Sequence, residues 1–382
     1  IIYDAYVDNI KKVTAQEVVN AARKFLGTNK SAVSIVLPKS MEGVSQTKET
    51  KTHSATKISE HNGTVKYQID NGSTLLINQN KNNDIIAISV IAKGGEFLEK
   101  IPGEGTLTAA TMLKGTKKFS AQELAQILDE NGIIIEPGCS EDYFVINIQT
   151  TTAQIDKTME ILDEIINNAT FDDYEIEKKR SELLNKIKHV PMNIALENFQ
   201  TIIFENSVYS HSNKILEKTL PSVQKDDILK YYNKILDSKN VVISINGNVD
   251  AQKMISEFGS ILKNKNNPVV NYSNFRISKA SAPKTVSQDI KDLQTAWLFL
   301  GWQTAGVQNK KDFVTLKVMN TILGSGMSSR LFRNLREQDG LAYQLGSSYS
   351  PKMLGGSFFT YIGTNPETLD YSRKKILHEI DR

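Results

Sequence analysis

The chain has 382 residues, 40% of them hydrophobic, a net charge of +3 and a single cysteine, Cys139. That length suits two domains or somewhat more, and the small, dispersed charge without a basic, aromatic-rich run argues against nucleic acid as a partner. One cysteine excludes an internal disulfide and a thiolate zinc cluster, and no apolar run nears the roughly 20 residues of a membrane helix.

The opening IIYDAYVDNI has no initiator methionine and no signal-peptide pattern, so the chain is expected to be an excerpt of a longer polypeptide. Residues 1–27 read as a helix pair or one long broken helix, with Thr14 and Glu17 as a capping box and Val18, Ala22 and Phe25 as the apolar stripe. Gly27 stops it. Residues 32–37 read as a strand ended by Pro38, and residues 39–60, rich in Ser, Thr, Lys and Glu, as a linker. A hairpin follows over 65–78 with its turn at Asn71-Gly72, then a strongly apolar strand over 85–92 that ends at Gly94-Gly95. Helices are expected at 104–114, stopped by Gly115, and at 121–130, capped by Ser120 and ended by Asn131-Gly132. Strands at 133–138 and 143–150 precede helices at 152–167 and 174–188. Pro191 breaks the pattern before a further helix at 193–205. A helix at 223–236, a strand at 240–245 and a helix at 250–262 lead to a second boundary at KNKNNP, residues 263–268.

The stretch 324–343, GSGMSSRLFRNLREQDGLAY, is the best candidate for chemistry. Met327, Leu331 and Leu335, with Phe332, predict one buried helical stripe, Ser328 and Ser329 predict an N-terminal cap, and Gly340 a left-handed stop. Arg330, Arg333 and Arg336 line a second face. The turn into Leu341-Ala342-Tyr343 and a following strand brings Arg336 and Tyr343 to one corner. A solvated arginine face and a core tyrosine are the plainer alternatives. Other features carry less: Gly324-Ser325-Gly326 lacks the lysine or fingerprint of a phosphate cradle, Cys139 has no histidine near it in sequence, Glu130 and Glu136 read as solvent-facing, and Asn248 and Asp250 as turn and cap.

The chain also repeats itself. VTAQEVVNAARKFLGTNKSAVSIV at 13–36 aligns without a gap on VQKDDILKYYNKILDSKNVVISIN at 223–246, an offset of about 210 residues. AISVIAKGG at 87–95 corresponds to TAWLFLGWQ at 295–303, the helix ending at Gly115 to one ending at Gly324, and the helix ending at Asn131-Gly132 to one ending at Asp339-Gly340. FVINIQT then matches FFTYIGT. The expected organisation is the tail of one unit (1–38), a linker (39–60), a complete unit (61–265) and a truncated unit (270–382). The fold class is α+β, each unit a mostly antiparallel sheet with helices on one face.

SSRLFRNLREQDGLAY at 328–343, Gly356-Ser357-Phe358, Tyr361-Ile362-Gly363-Thr364, PGEGTLTAATMLKGTKKFSAQEL at 102–124 and ISINGNVD at 243–250 together resemble the pitrilysin/insulinase zinc peptidases, which include the mitochondrial processing peptidase. The resemblance implies paired units of about 210 residues around a closed chamber that holds a peptide. It also implies a zinc motif, H-x-x-E-H, on the first unit of one pair and an Arg and a Tyr that reach the scissile carbonyl from the other. Anchored on Lys114-Gly115-Thr116, the two histidine positions hold Thr106 and Ala110, the catalytic glutamate position Ala109, and the third-ligand position falls near Lys186, with Glu182 close by. No metal is therefore expected in this chain, and zinc is expected in the missing front half. Arg336 and Tyr343 fall on the family's two positions. The resemblance implies a bacterial-type metallopeptidase whose partners are a peptide substrate and a zinc-bearing half, in the same chain or a separate subunit. A catalytically inactive scaffold of the same fold is the alternative. The compartment stays open between cytoplasm and periplasm.

Overall fold

The computed structural model describes residues 12–25, 53–187, 189–279 and 282–382. The chain divides into two compact units, Ile1–Thr47 and Lys48–Arg382. In the first, α1 (Ala15–Phe25) opens on the expected capping box: Glu17 Oε2 accepts from the Thr14 N–H at 2.8 Å and Thr14 Oγ1 accepts from the Glu17 N–H at 3.3 Å. Val18 and Val19 are exposed on it. The helical reading of residues 1–11, the strand at 32–37 and the linker up to residue 52 lie outside the described residues.

Among the described residues, the second unit holds two sheets. Strands β1 (Ala55–His61), β2 (Thr64–Ile69), β3 (Thr74–Gln79), β4 (Ile85–Lys93), β5 (Ile134–Cys139), β6 (Tyr143–Thr151) and β7 (Val241–Gly247) form the larger, in the order β1-β2-β3-β7-β4-β6-β5. Only β3 and β7 pair in parallel. β1 occupies residues read above as the end of the linker. Its hairpin to β2 turns on Asn62 and Gly63, both at positive φ (47° and 75°), the backbone that an Asn-Gly pair supplies in a two-residue hairpin.

The helices of this unit are α2 (Glu104–Thr111), α3 (Ala121–Glu130), α4 (Ile155–Asn167), α5 (Asp173–Lys186), α6 (Pro191–Ile203), α7 (Asn213–Thr219), α8 (Lys225–Ile235), α9 (Ala251–Ile261), α10 (Lys310–Leu323) and α11 (Leu369–Asp381). Along β4, Ile86, Ile88, Val90 and Ala92 are buried in turn, and Leu107, Leu124, Ile161, Ile176, Ile228 and Phe258 from six helices close over that face in one core. Ile85, Ile134 and Tyr143 are exposed. The smaller sheet, antiparallel throughout, is β8 (Ala296–Thr304), β9 (Gln344–Pro351) and β10 (Gly356–Thr364) in the order β8-β10-β9. Leu323, Leu331, Leu335, Phe358, Ile362 and Ile376 form its core.

Pro191 does not break a helix here; it starts α6, at the position where a missing N–H costs nothing. Phe199 and Ile203 on α6 join Phe204, Tyr209 and Phe359 in a third cluster, so α6 packs on the smaller sheet. Around it, the Asp142 carboxylate accepts from the Tyr209 hydroxyl at 2.5 Å and from the Met353 N–H at 3.0 Å, and Lys352 pairs with Glu141. No described helix is long and apolar enough to cross a membrane.

Candidate functional site

The 324–343 stretch departs from a simple α-helix. α10 ends on Gly324, and the chain becomes helical again only at Arg330. Met327 is therefore 76% exposed and leaves the expected stripe, while Leu331 and Leu335 are buried as expected. Ser329 does not cap an N–H group: its hydroxyl donates to the Gly326 carbonyl at 2.6 Å. Residues Phe332–Gln338 form a π-helix, with the Asp339 N–H reaching Asn334 O at 3.1 Å, a widened turn that recurs at functional sites. Gly340, at φ 63°, then reverses the chain into Tyr343 and β9.

This corner does bring Arg336 and Tyr343 together. The guanidinium carbon of Arg336 lies 4.4 Å from the Tyr343 ring centroid and 4.5 Å from that of Phe332, so it is held between two aromatic faces. Such contacts contribute about 0.5–1 kcal/mol each near the surface. Stacking leaves the planar edge of the fork, with its N–H donors, free to bond. Tyr343 is 78% exposed, so it is not a core tyrosine. Leu335, buried one residue before Arg336, anchors the helix under the pair. The other two arginines separate: Arg330 donates to Glu379 Oε2 through Nε at 3.1 Å and Nη2 at 2.9 Å, and Arg333 is exposed. Burial pushes the Glu379 carboxyl up, but hydrogen bonds from Asn334 and Arg330 outweigh it and hold the group below its ordinary range.

The positions of the zinc motif lie on α2, which packs against α5. Thr106 and Ala110 are half-buried, Ala109 is buried, and Lys186 is exposed at the end of α5. Glu182, the nearest carboxylate in sequence, pairs with Lys179 at 2.5 Å. A catalytic zinc needs three converging imidazole, thiolate or carboxylate ligands. Methyl groups, a hydroxyl and an ammonium do not fit it.

Just ahead of α2 is a polar cluster that sequence reasoning missed. Glu96 and Glu99, on the turn after β4, meet His211, which follows the short 3-10 helix Val208–Ser210. Glu96 Oε2 is 3.0 Å from His211 Nδ1. The Glu99 carboxylate accepts from the N–H groups of Gly103 (3.1 Å) and Gly105 (2.7 Å). Burial, with the Glu96 charge adding to it, pushes the Glu99 carboxyl up to about 7, and the hydrogen bond to Glu96 raises the His211 imidazole. The Cys139 thiol lies beside them, 3.4 Å from the Tyr231 hydroxyl, and burial pushes it far up, which disfavours the thiolate. Asp250 caps α9 through the Lys253 N–H, as expected.

Two family models match the chain: "Insulinase (Peptidase family M16)" over residues 74–214 and "Peptidase M16 inactive domain" over residues 222–382. An uncharacterized zinc protease of Rickettsia bellii is 28% identical over 325 residues, 82% of this chain and 77% of that protein. A protein of Helicobacter pylori named non-peptidase homolog YmxG is 22% identical over 66% of this chain and 59% of its own length. The crystal structure of the periplasmic protease PqqL from Escherichia coli shares the fold, with a TM-score of 0.73 at 15% identity, over 98% of this chain and 42% of that one.

Proposed function

Because the chain belongs to the insulinase family, peptidase family M16, we propose that it is the zinc-free part of a metallopeptidase, one that binds an extended peptide and presents Arg336 and Tyr343 to the carbonyl under attack. The observation that carries this reading is the seat of Arg336. An always-charged fork, stacked between Phe332 and Tyr343 on a helix anchored by Leu335, is oriented before any ligand arrives. Negative charge gathering on a carbonyl oxygen would find a guanidinium and a phenol O–H side by side. In this reading an extended peptide adds to a sheet edge through main-chain bonds, so broad specificity is expected. Bond hydrolysis itself belongs to a zinc-bearing half, because the motif positions of this chain do not fit the metal.

The division into units of about 210 residues belongs to the same reading. It is supported by the strand order β8-β10-β9, which reproduces β4-β6-β5, and by α10, which precedes its strands as α2 precedes β5. In this reading residues 61–265 are one unit and 270–382 most of another.

The test is Arg336→Ala in a polypeptide that joins this chain to a zinc-bearing half. kcat on an extended peptide is expected to fall by about 10²–10³, the usual loss for one oxyanion donor, with KM little changed. A kcat within about twofold of the parent would favour the second reading, a non-catalytic scaffold. That reading draws on the ligand-free motif positions and on the relative named a non-peptidase.

A further inference from the structure

We propose that Glu96, Glu99 and His211 form a divalent-cation site, suited to Zn²⁺, at the base of α2 and independent of the Arg336–Tyr343 corner. One ligand atom from each residue lies within 4.8 Å of the other two, and these are the one group of three such donors among the described residues. Glu96 Oε2 and His211 Nδ1 are 3.0 Å apart. Ligands at 2.0–2.2 Å on a tetrahedral zinc sit about 3.3–3.6 Å from one another, so small side-chain movements bring all three onto one ion.

Two carboxylates share this half-buried space with one imidazole, and among the described residues no lysine or arginine forms an ion pair with Glu99. The nearby cations are engaged elsewhere: Lys352 pairs with Glu141, and Lys234 Nζ donates to the Leu98 carbonyl at 3.2 Å. A dication bound to two carboxylates and a neutral imidazole is charge-balanced once it displaces the protons these groups hold. The surroundings are built to orient a ligand. The N–H groups of Gly103 and Gly105 fix the Glu99 carboxylate and still leave lone pairs on its oxygens. Gly105 must stay small, since a Cβ there would stand 3.0 Å from Glu99 Oε1 and 2.4 Å from Cys139 Sγ. Two Glu and one His are oxygen and nitrogen donors of the kind zinc accepts, and three protein ligands leave a fourth position for water.

The test is titration of the metal-free chain with Zn²⁺, followed by calorimetry and by metal analysis after dialysis. We expect one equivalent to bind in the micromolar range, and His211→Asn and Glu96→Gln each to weaken binding by at least about tenfold. His189→Asn, at an exposed pair with Glu217 (2.9 Å), controls for adventitious surface binding and should change nothing. The visible spectrum of the Co²⁺-loaded chain gives a second readout on the unaltered protein, with the intense bands of a low-coordinate site expected. No saturable binding below about 1 mM, or binding that survives both substitutions within about twofold, overturns the site. So does binding that His189→Asn weakens as much as His211→Asn. Should one variant fail to fold, the other decides, because Glu96 and His211 come from separate segments.

Discussion

Gly105→Ala offers a sharp test of the packing under α2. Gly105 is the second residue of α2, its φ is an ordinary helical one, and an added Cβ would meet Cys139 Sγ at 2.4 Å and the Tyr231 hydroxyl at 2.8 Å. Helix propensity alone favours alanine by about 0.8–1.0 kcal/mol. Against that, overpacking a rigid, fully enclosed place costs typically 1–3 kcal/mol, and here Tyr231 is itself buried and hydrogen-bonded to the Gly95 carbonyl. The balance spans about 0–2 kcal/mol of net loss, and the 2.4 Å approach to Cys139 Sγ puts it toward the upper end, read as a lower urea midpoint at unchanged m. Cys139→Ala removes the nearest atom. In that background Gly105→Ala should cost about 1 kcal/mol less and approach neutrality, so the double-mutant cycle should show a coupling of at least about 1 kcal/mol. If Gly105→Ala stabilises the parent chain, or if its cost is the same with and without Cys139, the close approach described here is wrong.

Arg330→Ala removes one of the partners of Glu379, whose side chain is only 5% exposed and which keeps Arg382 at 3.5 Å; a loss of about 2 kcal/mol is expected by denaturant unfolding, and Arg330→Ala with Glu379→Gln should recover part of it. Leu335→Ala, at a side chain with no exposed surface in the small core of the second sheet, should cost about 2–5 kcal/mol and blunt the near-ultraviolet signal of the neighbouring aromatics. The Asp70 carboxyl is held below its ordinary range by the Ser54 N–H (2.9 Å) and by His53 (2.7 Å). A depressed carboxylate gives stability that is present above its unfolded value, near 3.8, and is lost as pH falls through the lower folded value. Urea midpoints measured from pH 5 down to about 2 should therefore fall less steeply for Asp70→Asn than for the parent.

Much of the fold was legible because local chemistry agreed with it. The Ser120 cap, the strongly apolar β4 and the Gly340 reversal each stand where the apolar pattern and turn residues put them. The misreadings have identifiable causes. Asn62-Gly63 carried the turn signal for the β1–β2 hairpin, but the polar stretch before it masked a strand whose residues are mostly exposed. Met327 kept helical spacing with Leu331 and Leu335, yet Gly324 and Gly326 release the chain before it and the helix forms after it. The helix expected from 193 begins at Pro191 itself, because proline is tolerated in the first turn. The Arg336–Tyr343 approach was readable because only six residues, Gly340 among them, lie between the two. Glu96 and His211 are 115 residues apart, and no periodicity joins them; only the packing of the His211 segment against the turn after β4 does.

The two segments matched by family models, residues 74–214 and 222–382, are not two bodies. β7 lies in the second segment but forms the middle of the first sheet, between β3 and β4, while α6 lies in the first segment and packs on β8 of the second. Each segment thus lends the other a part that its own core requires. A chimera that took one segment from a relative would have to match a strand ladder and an aromatic cluster at once, and a cut between residues 214 and 222 would leave one sheet without its central strand and the other without its cover. Inheritance of this region is expected to be all or nothing: the segments can diverge only together, with Phe199 and Phe359, 5.3 Å apart between ring centroids, among the first pairs to show compensating changes.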